Sequence, residues 1–335
     1  MTTYLTEMGT LAVLALKNDN LELSERCAAL DFNLADLSPP LSYSKTMKIT
    51  PISRRGFIKA GITTTAALAA VSPAAIRIAL AAEDSGEKKI PIGLQLYTIG
   101  GEIRSKGPEG ALAAVAKAGY KGVEFAGYFG RDAKALRQLL DDNGLKCCGS
   151  HIGLNTLQGE NFEKTVEFNK TIGNTRLIVP SLGGNYTSSK KSLEDVADVF
   201  NEIADKLKPA GLRTGFHCHP GEFRKIEGET IWDTFFSRAK KEVIMQCDLG
   251  HMGTAGVDPV AYMTKYPGRA ASVHIKPSSK VKHGLLVGED ELRWPEIFKA
   301  CETVGGTEWY IVEYDGGSME KAEKTIETLR KWGKC

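Results

Sequence analysis

The sequence has no C-x-x-C pair and no regular spacing among its seven cysteines, Cys27, Cys147, Cys148, Cys218, Cys247, Cys301 and Cys335. That excludes a disulfide framework and a thiolate zinc site. Cys147, Cys148, Cys218 and Cys247 fall in apolar runs, where a buried reduced thiol acts as a small hydrophobe. The chain also lacks an excess of either charge, with a formal net charge of +2 over 335 residues. It therefore offers no basic surface for non-specific nucleic-acid binding. No glycine-rich phosphate loop follows an early strand, which argues against an open doubly wound nucleotide-binding sheet. Uninterrupted apolar runs of membrane-spanning length are missing too, since Pro73 and Arg77 break the Ala60–Ala82 stretch.

What is present begins with Ser53-Arg54-Arg55-Gly56-Phe57-Ile58-Lys59, followed by that weakly apolar stretch and Ala79-Leu80-Ala81. The cationic, apolar and small-residue regions, in that order, resemble a bacterial twin-arginine export signal. The resemblance implies the twin-arginine export machinery as a partner, cleavage after the small residues, and a periplasmic or otherwise exported product with no stable membrane span. Met47-Lys48-Ile49-Thr50 reads as a normal start for such a signal, so residues 1–46 are expected to be a disordered or mis-assigned extension and 47–82 the signal segment.

From Ile90 to the C-terminus short apolar runs alternate with amphipathic stretches, as in βα units around a parallel sheet. Eight strands are expected: Ile90–Ile99, Gly122–Phe125, Lys146–Ile152, Arg176–Leu182, Arg213–His219, Val243–His251, Ala271–Lys276 and Trp309–Tyr314. Helical patterns separate them, with Ser192 and Asp195 expected to open the one at Leu193–Lys208. Gly119, Gly144 and Gly211 stand just past helix ends, where a left-handed residue is wanted. Eight repeats within residues 90–335 match a single (β/α)8 TIM barrel.

Barrel chemistry collects at the C-terminal ends of the strands, and the polar residues fall there. They are Gln95 and Tyr97, Glu124, His151, the run His217-Cys218-His219-Pro220-Gly221-Glu222, Asp248 with His251, His274 with Lys276, and Glu313 with Asp315. Five of the six histidines lie at such ends, and only His283 does not. Imidazole and carboxylate donors without thiolate suit a divalent cation; Mn2+ is favoured, with Zn2+, Mg2+, Co2+ and Fe2+ compatible. The plainer alternatives are that Asp248 caps the following loop and that Glu313 pairs with Lys276 or Arg293.

Ile92-Gly93-Leu94-Gln95-Leu96-Tyr97, Gly122-Val123-Glu124-Phe125, Gly149-Ser150-His151, Phe216-His217-Cys218-His219, Asp248-x-x-His251, Ser272-Val273-His274 and Val312-Glu313 together resemble the xylose isomerase-like superfamily. This is the sugar phosphate isomerase/epimerase group, which also includes the endonuclease IV type of abasic-site nuclease. The resemblance implies one metal held from strands five to eight. Asp248, His274 and Glu313 match that pattern, whereas strand five offers His217 or a neighbour where relatives show a glutamate. His217 is taken as the fourth ligand, with His219 towards substrate.

The expected activity is isomerisation or epimerisation of a free sugar or keto sugar by proton removal next to a carbonyl. A related lyase or hydratase acting on 3-keto-glycosides, or a non-catalytic sugar-binding barrel, is the alternative. Glu313, Glu124, His219 and Glu222 are the acid–base candidates. His151, His251, Lys276, Gln95 and Tyr97 are the substrate-binding candidates, and Tyr97 and Trp294 are candidates to pack on a sugar face.

Overall fold

The computed structural model describes residues 89–278, 282 and 284–335. The expected signal segment, the extension before it and His283 lie outside the described residues. Among those described, no helix is long and apolar enough to cross a membrane.

Eight parallel strands close into one barrel: β1 Ile92–Gln95, β2 Gly122–Ala126, β3 Lys146–His151, β4 Arg176–Val179, β5 Arg213–His217, β6 Ile244–Asp248, β7 Ser272–Ile275 and β8 Trp309–Val312. Each neighbours the next in chain order, and β1 pairs with β8 to complete the ring. The outer helices are α1 Gly100–Ala118, α2 Ala133–Asp142, α3 Asn161–Thr171, α4 Lys190–Leu207, α5 Ile231–Arg238, α6 Leu249–Ala255, α7 Pro259–Lys265, α8 Trp294–Ala300 and α9 Met319–Lys331. The TIM barrel read from the sequence is thus the observed fold.

Side chains two apart on a strand share a face, and this periodicity divides the barrel. Outward residues such as Leu94, Val123, Phe216, Met245 and Val273 join the main core against the helices. Inside, two small clusters, Cys148–Trp309–Ile311 and Ile178–Ile244–Ala271, fill the lower part of the barrel. Glycines make room for them. A Cβ at Gly122 would lie 2.9 Å from the Trp309 ring, and one at Gly93 would lie 2.6 Å from Cys148 Sγ. Above this apolar floor the same inward positions carry the polar residues. β6 runs Ile244, Gln246, Asp248; β8 and its extension run Trp309, Ile311, Glu313; β5 and its extension run Gly215, His217, His219.

The glycine turns behave as the sequence indicates: Gly119, Gly144 and Gly211 have φ of +105°, +61° and +69°. Three local features differ from expectation. The strand expected over Val243–His251 stops at Asp248, whose carboxylate caps α6 by accepting from the His251 N–H at 2.7 Å. The cap of α4 is Ser189, which accepts from the Ser192 N–H, so the cap stands three residues before the predicted one at Ser192 and the helix begins at Lys190. The strand expected over Ile90–Ile99 ends at Gln95, and the first helix starts at Gly100, with a kink at Gly107 (φ +73°) that accommodates Pro108.

Candidate metal centre and active site

The ends of β5 to β8 bring His217, Asp248, His274 and Glu313 together, with one donor atom of each within 4.8 Å of the others. All four are buried. Asp248 lies level with His274 in the β6–β7 register. Asp248 Oδ1 caps α6, so the expected capping role holds for one oxygen only. Its Oδ2, together with His274 Nδ1 and Glu313 Oε2, is buried without a hydrogen bond of normal geometry, although His274 Nδ1 pairs directly with Glu313 Oε2 and lies 3.6 Å from Asp248 Oδ2. Two carboxylate oxygens converging on one imidazole nitrogen are costly to bury, and a shared divalent cation would satisfy all three. The residues present therefore fit a metal.

Behind this cluster stands Glu124, fully buried on β2. Its Oε2 accepts from Gln95 Nε2 at 2.8 Å and from His274 Nε2 at 2.6 Å, and His151 Nε2 lies 3.2 Å away. Its Oε1 accepts from Gln246 Nε2 at 2.8 Å. Burial alone would raise the Glu124 pKa, but the His151 and His274 charges and the hydrogen bonds outweigh it and hold the value down at about 2. Gly149 is needed for this placement, because a Cβ there would lie 2.5 Å from Glu124 Oε1. The space arises where β2 and β3 shift register and Cys148 becomes the extra residue.

This one acceptor sets the hydrogen positions around it. A carboxylate can only accept, so Gln246 must turn its amide NH2 towards Glu124, and that NH2 also donates to Ser272 Oγ at 2.9 Å. Gln246 Oε1 then faces the other way and accepts from His217 Nδ1 at 3.0 Å and His151 Nε2 at 2.8 Å. His217 is left with its Nε2 lone pair. Burial first, then the neighbouring His274 and His151, hold its pKa well below the usual histidine range and keep it neutral. His274 likewise gives its Nε2–H to Glu124, which turns Nδ1 to Asp248 and Glu313. Burial opposes a charge on His274, but Glu124 and Glu313 outweigh it and raise its pKa. The field that attracts a proton there would attract a cation equally.

Lys276 sits across the site. Its Nζ donates to Asp315 Oδ2 at 2.8 Å and to His251 Nε2 at 3.0 Å, and lies 3.8 Å from both Asp248 Oδ2 and Glu313 Oε1. Burial would strip its proton, yet Asp248 and Glu313 prevail and raise its pKa. Arg293, the other partner expected for Glu313, pairs instead with Asp258 at 2.9 Å.

A cavity of about 360 Å3 opens over the cluster, lined among others by Gln95, Tyr97, His151, His217, His219 and Glu313. Tyr97 is 60% exposed at its mouth. The His219 ring lies 4.9 Å from His217 and 4.8 Å from His251, centroid to centroid. Burial, then His251, lower its pKa. Glu222 does not line this cavity; its Oε2 accepts from the His219 backbone N–H at 2.8 Å and fixes the turn after β5. Trp294 belongs to the core and not to the site: its ring packs on Phe298 and Trp332, and its Nε1 donates to Asp290 at 2.7 Å. Gln246, which the sequence pattern did not single out, joins Glu124 to two of the histidines. The available signal was its place two residues before Asp248 on the inward face.

Comparison with known proteins agrees with this architecture. The family model described as "Xylose isomerase-like TIM barrel" matches residues 112–334. An inosose dehydratase from Clostridium beijerinckii is 24% identical over 243 residues, covering 61% of this chain and 81% of the relative. A sugar phosphate isomerase/epimerase from Parabacteroides distasonis superposes with a TM-score of 0.62 at 27% identity, covering 73% of this chain and 95% of the other. A D-allulose 3-epimerase from Methylomonas sp. shares the fold, with a TM-score of 0.56 at 14% identity over 72% of this chain and 98% of its own. The chain belongs to the xylose isomerase-like TIM barrel family and is an enzyme of that fold.

Proposed function

We propose that the protein is a metal-dependent sugar isomerase or epimerase acting on a free sugar or keto sugar, through proton abstraction next to a carbonyl. The observation that carries this reading is the convergence of two buried carboxylate oxygens, Asp248 Oδ2 and Glu313 Oε2, on His274 Nδ1, none with a hydrogen bond of normal geometry, beside a cavity lined by two proton acceptors, Glu313 and His219. His217, Asp248, His274 and Glu313 would hold the cation, with Mn2+ as first choice over Zn2+, Mg2+, Co2+ or Fe2+. When bound, it would polarise adjacent carbonyl and hydroxyl oxygens of the sugar and stabilise negative charge developing on them.

The side chains divide the remaining work. Glu313 and His219 are the groups placed to take a proton from carbon and return it. Epimerisation needs an acceptor for each face of the carbon, and the two residues come from different strand ends. Lys276 keeps its proton and, 3.8 Å from Glu313 Oε1, would offer an ammonium to a developing oxyanion. His151, with Nε2–H committed to Gln246, retains Nδ1 to accept from a sugar hydroxyl. Tyr97 at the mouth would cover one sugar face.

Dehydration is the second reading, favoured by the similarity to an inosose dehydratase over 243 residues; elimination from a 3-keto-glycoside is its close variant. It begins with the same proton abstraction and differs in losing a β-substituent. Incubating the metal-loaded protein with keto sugars, keto cyclitols and 3-keto-glycosides in D2O, followed by NMR, separates the readings. Deuterium at an α-carbon without elimination supports the isomerase, whereas loss of water or aglycone supports the lyase. Absence of exchange with every substrate at full metal occupancy would remove both.

The Ser53–Lys59 motif supports action outside the cytoplasm, where phosphorylated intermediates are scarce. Changing both Arg54 and Arg55 to Lys should keep the precursor in the cytoplasmic fraction; an unchanged distribution would count against export.

A further inference from the structure

A buried ammonium already stands beside the metal cluster, yet it leaves the cluster's carboxylates unsatisfied. Lys276 Nζ lies 3.8 Å from both Asp248 Oδ2 and Glu313 Oε1, beyond hydrogen-bond distance of either. Asp248 Oδ2 has no hydrogen bond of normal geometry, although a lysine ammonium carries three donors. A shift of about 1 Å would bring the two together. The short contacts of Nζ point the other way, to Asp315 Oδ2 at 2.8 Å and to His251 Nε2 at 3.0 Å. Charge alone would not choose this arrangement. Asp248 and Glu313 are buried, where opposite charges attract most strongly, whereas the Asp315 side chain is 64% exposed.

The fold sets the choice by fixing both ends of the Lys276–Asp315 pair. Helix α6 packs on the lysine stem so closely that a Cβ at Gly250 would lie 2.6 Å from Lys276 Cγ. The turn after β8 is held against the segment after β1: the Tyr314 N–H donates to Thr98 Oγ1 at 3.1 Å, and a Cβ at Gly317 would lie 2.6 Å from Thr98 Cγ2. Gly316, at φ +58°, lets the chain turn between those two contacts, and Asp315 is carried beside Lys276. We propose that Asp315 is a positioning residue that tethers the Lys276 ammonium outward and so keeps the cation position beside Asp248 and Glu313 open. His251 adds a second acceptor to the tether. Released from it, the ammonium becomes the cation's internal competitor, because a carboxylate bonded to Nζ must break that bond before it can act as a ligand. The proposal rests on the cation reading of the site and assigns a role to a carboxylate outside the ligand set.

The test is calorimetric titration of Mn2+ into metal-free wild type, Asp315→Ala, Lys276→Met and the double variant, beside a crystal structure of metal-free Asp315→Ala. Breaking a charged hydrogen bond to free a ligand corresponds to about tenfold in affinity. Asp315→Ala should therefore bind Mn2+ about tenfold more weakly than wild type, and Asp315→Asn, which keeps an accepting oxygen, should lie between them. Lys276→Met should bind at least as tightly as wild type, and adding Asp315→Ala to it should change the affinity by less than about twofold. In metal-free Asp315→Ala, Nζ should stand within about 3 Å of Asp248 Oδ2 or Glu313 Oε1. A loss that persists in the Lys276→Met background would show that Asp315 acts by its own charge and would overturn the proposal, as would an ammonium unmoved in the Asp315→Ala structure. If wild type takes up no Mn2+ while Nζ moves onto the carboxylates in Asp315→Ala, the tether stands and the cation reading fails. If wild type and Asp315→Ala bind Mn2+ equally and Nζ stays in place, the tether fails and the cation reading stands.

Discussion

Replacing Glu124 by Gln should weaken metal binding although Glu124 reaches no metal-facing atom. The carboxylate receives hydrogen bonds from Gln95, Gln246 and His274 at 2.8, 2.8 and 2.6 Å, with His151 Nε2 at 3.2 Å. An amide retains one accepting oxygen and presents two N–H groups to this ring of donors. If the new NH2 faces Gln246, that amide is driven to flip and turns its own NH2 to His217 Nδ1. His217 then carries its hydrogen on Nε2, the atom needed as a ligand. If the NH2 faces His274 instead, His274 loses the acceptor that keeps Nδ1 free. Either orientation disturbs a ligand, and loss of such a supporting partner typically costs about 10–100-fold in metal affinity. The mismatched buried donors should also cost about 1–3 kcal/mol in stability. Metal titration by calorimetry, beside thermal unfolding of the metal-free forms, separates the two effects. An affinity within about twofold of wild type in a folded Glu124→Gln protein would refute the wiring.

Other consequences concern the scaffold. Gly149→Ala should push its methyl to about 2.5 Å from Glu124 Oε1 and cost about 1–3 kcal/mol in chemical denaturation together with weaker metal binding; wild-type behaviour in both would contradict the close approach. Ser189→Ala removes the cap of α4 and should cost about 1 kcal/mol, whereas Ser192→Ala should cost less. At the lower rim, Glu308 pairs with Arg213 at 2.6 Å and with the buried Arg176. Partial burial raises the Glu308 pKa, but the Arg213 hydrogen bond and the Arg176 charge prevail and lower it. A carboxylate with a depressed folded-state pKa stabilises above its unfolded value, about 4.3, and loses that contribution as pH falls through the folded value. Glu308→Gln should therefore be destabilised by about 1 kcal/mol near pH 7, a figure held low by exposure and screening, and should converge with wild type at acid pH. A gap independent of pH would show that the ion pair is not its source.

Much of this arrangement is written in the sequence as period-two spacing. Ile244, Gln246 and Asp248, or Trp309, Ile311 and Glu313, alternate with outward apolar residues, so an inward polar face follows once the barrel is assumed. The ends of the strands were harder to read. Leu249–Ala255 continues the apolar run of β6 and contains two glycines, yet it is a helix because the Asp248 side chain caps it. Glu124 looked like a catalytic acid or base because sequence shows a charged group at a strand end but not what surrounds it. Only the closed ring brings Gln95, Gln246, His151 and His274 from four other strands onto its two oxygens. Gln246 is silent in the sequence for the same reason: a neutral amide gives no signal until its neighbours are known. Trp294 illustrates the reverse, an aromatic near the site in sequence that the Asp290 hydrogen bond and the Phe298 and Trp332 rings hold in the core.

The central claim is that Asp248, His274 and Glu313, with His217, form one cation site. Elemental analysis of purified wild type, Asp248→Ala and Glu313→Ala after equilibration with a limiting divalent metal tests it most directly. The account predicts about one metal per chain in wild type and a loss of most of it in each variant, with all three proteins folded. Stoichiometric metal persisting in both variants would contradict it.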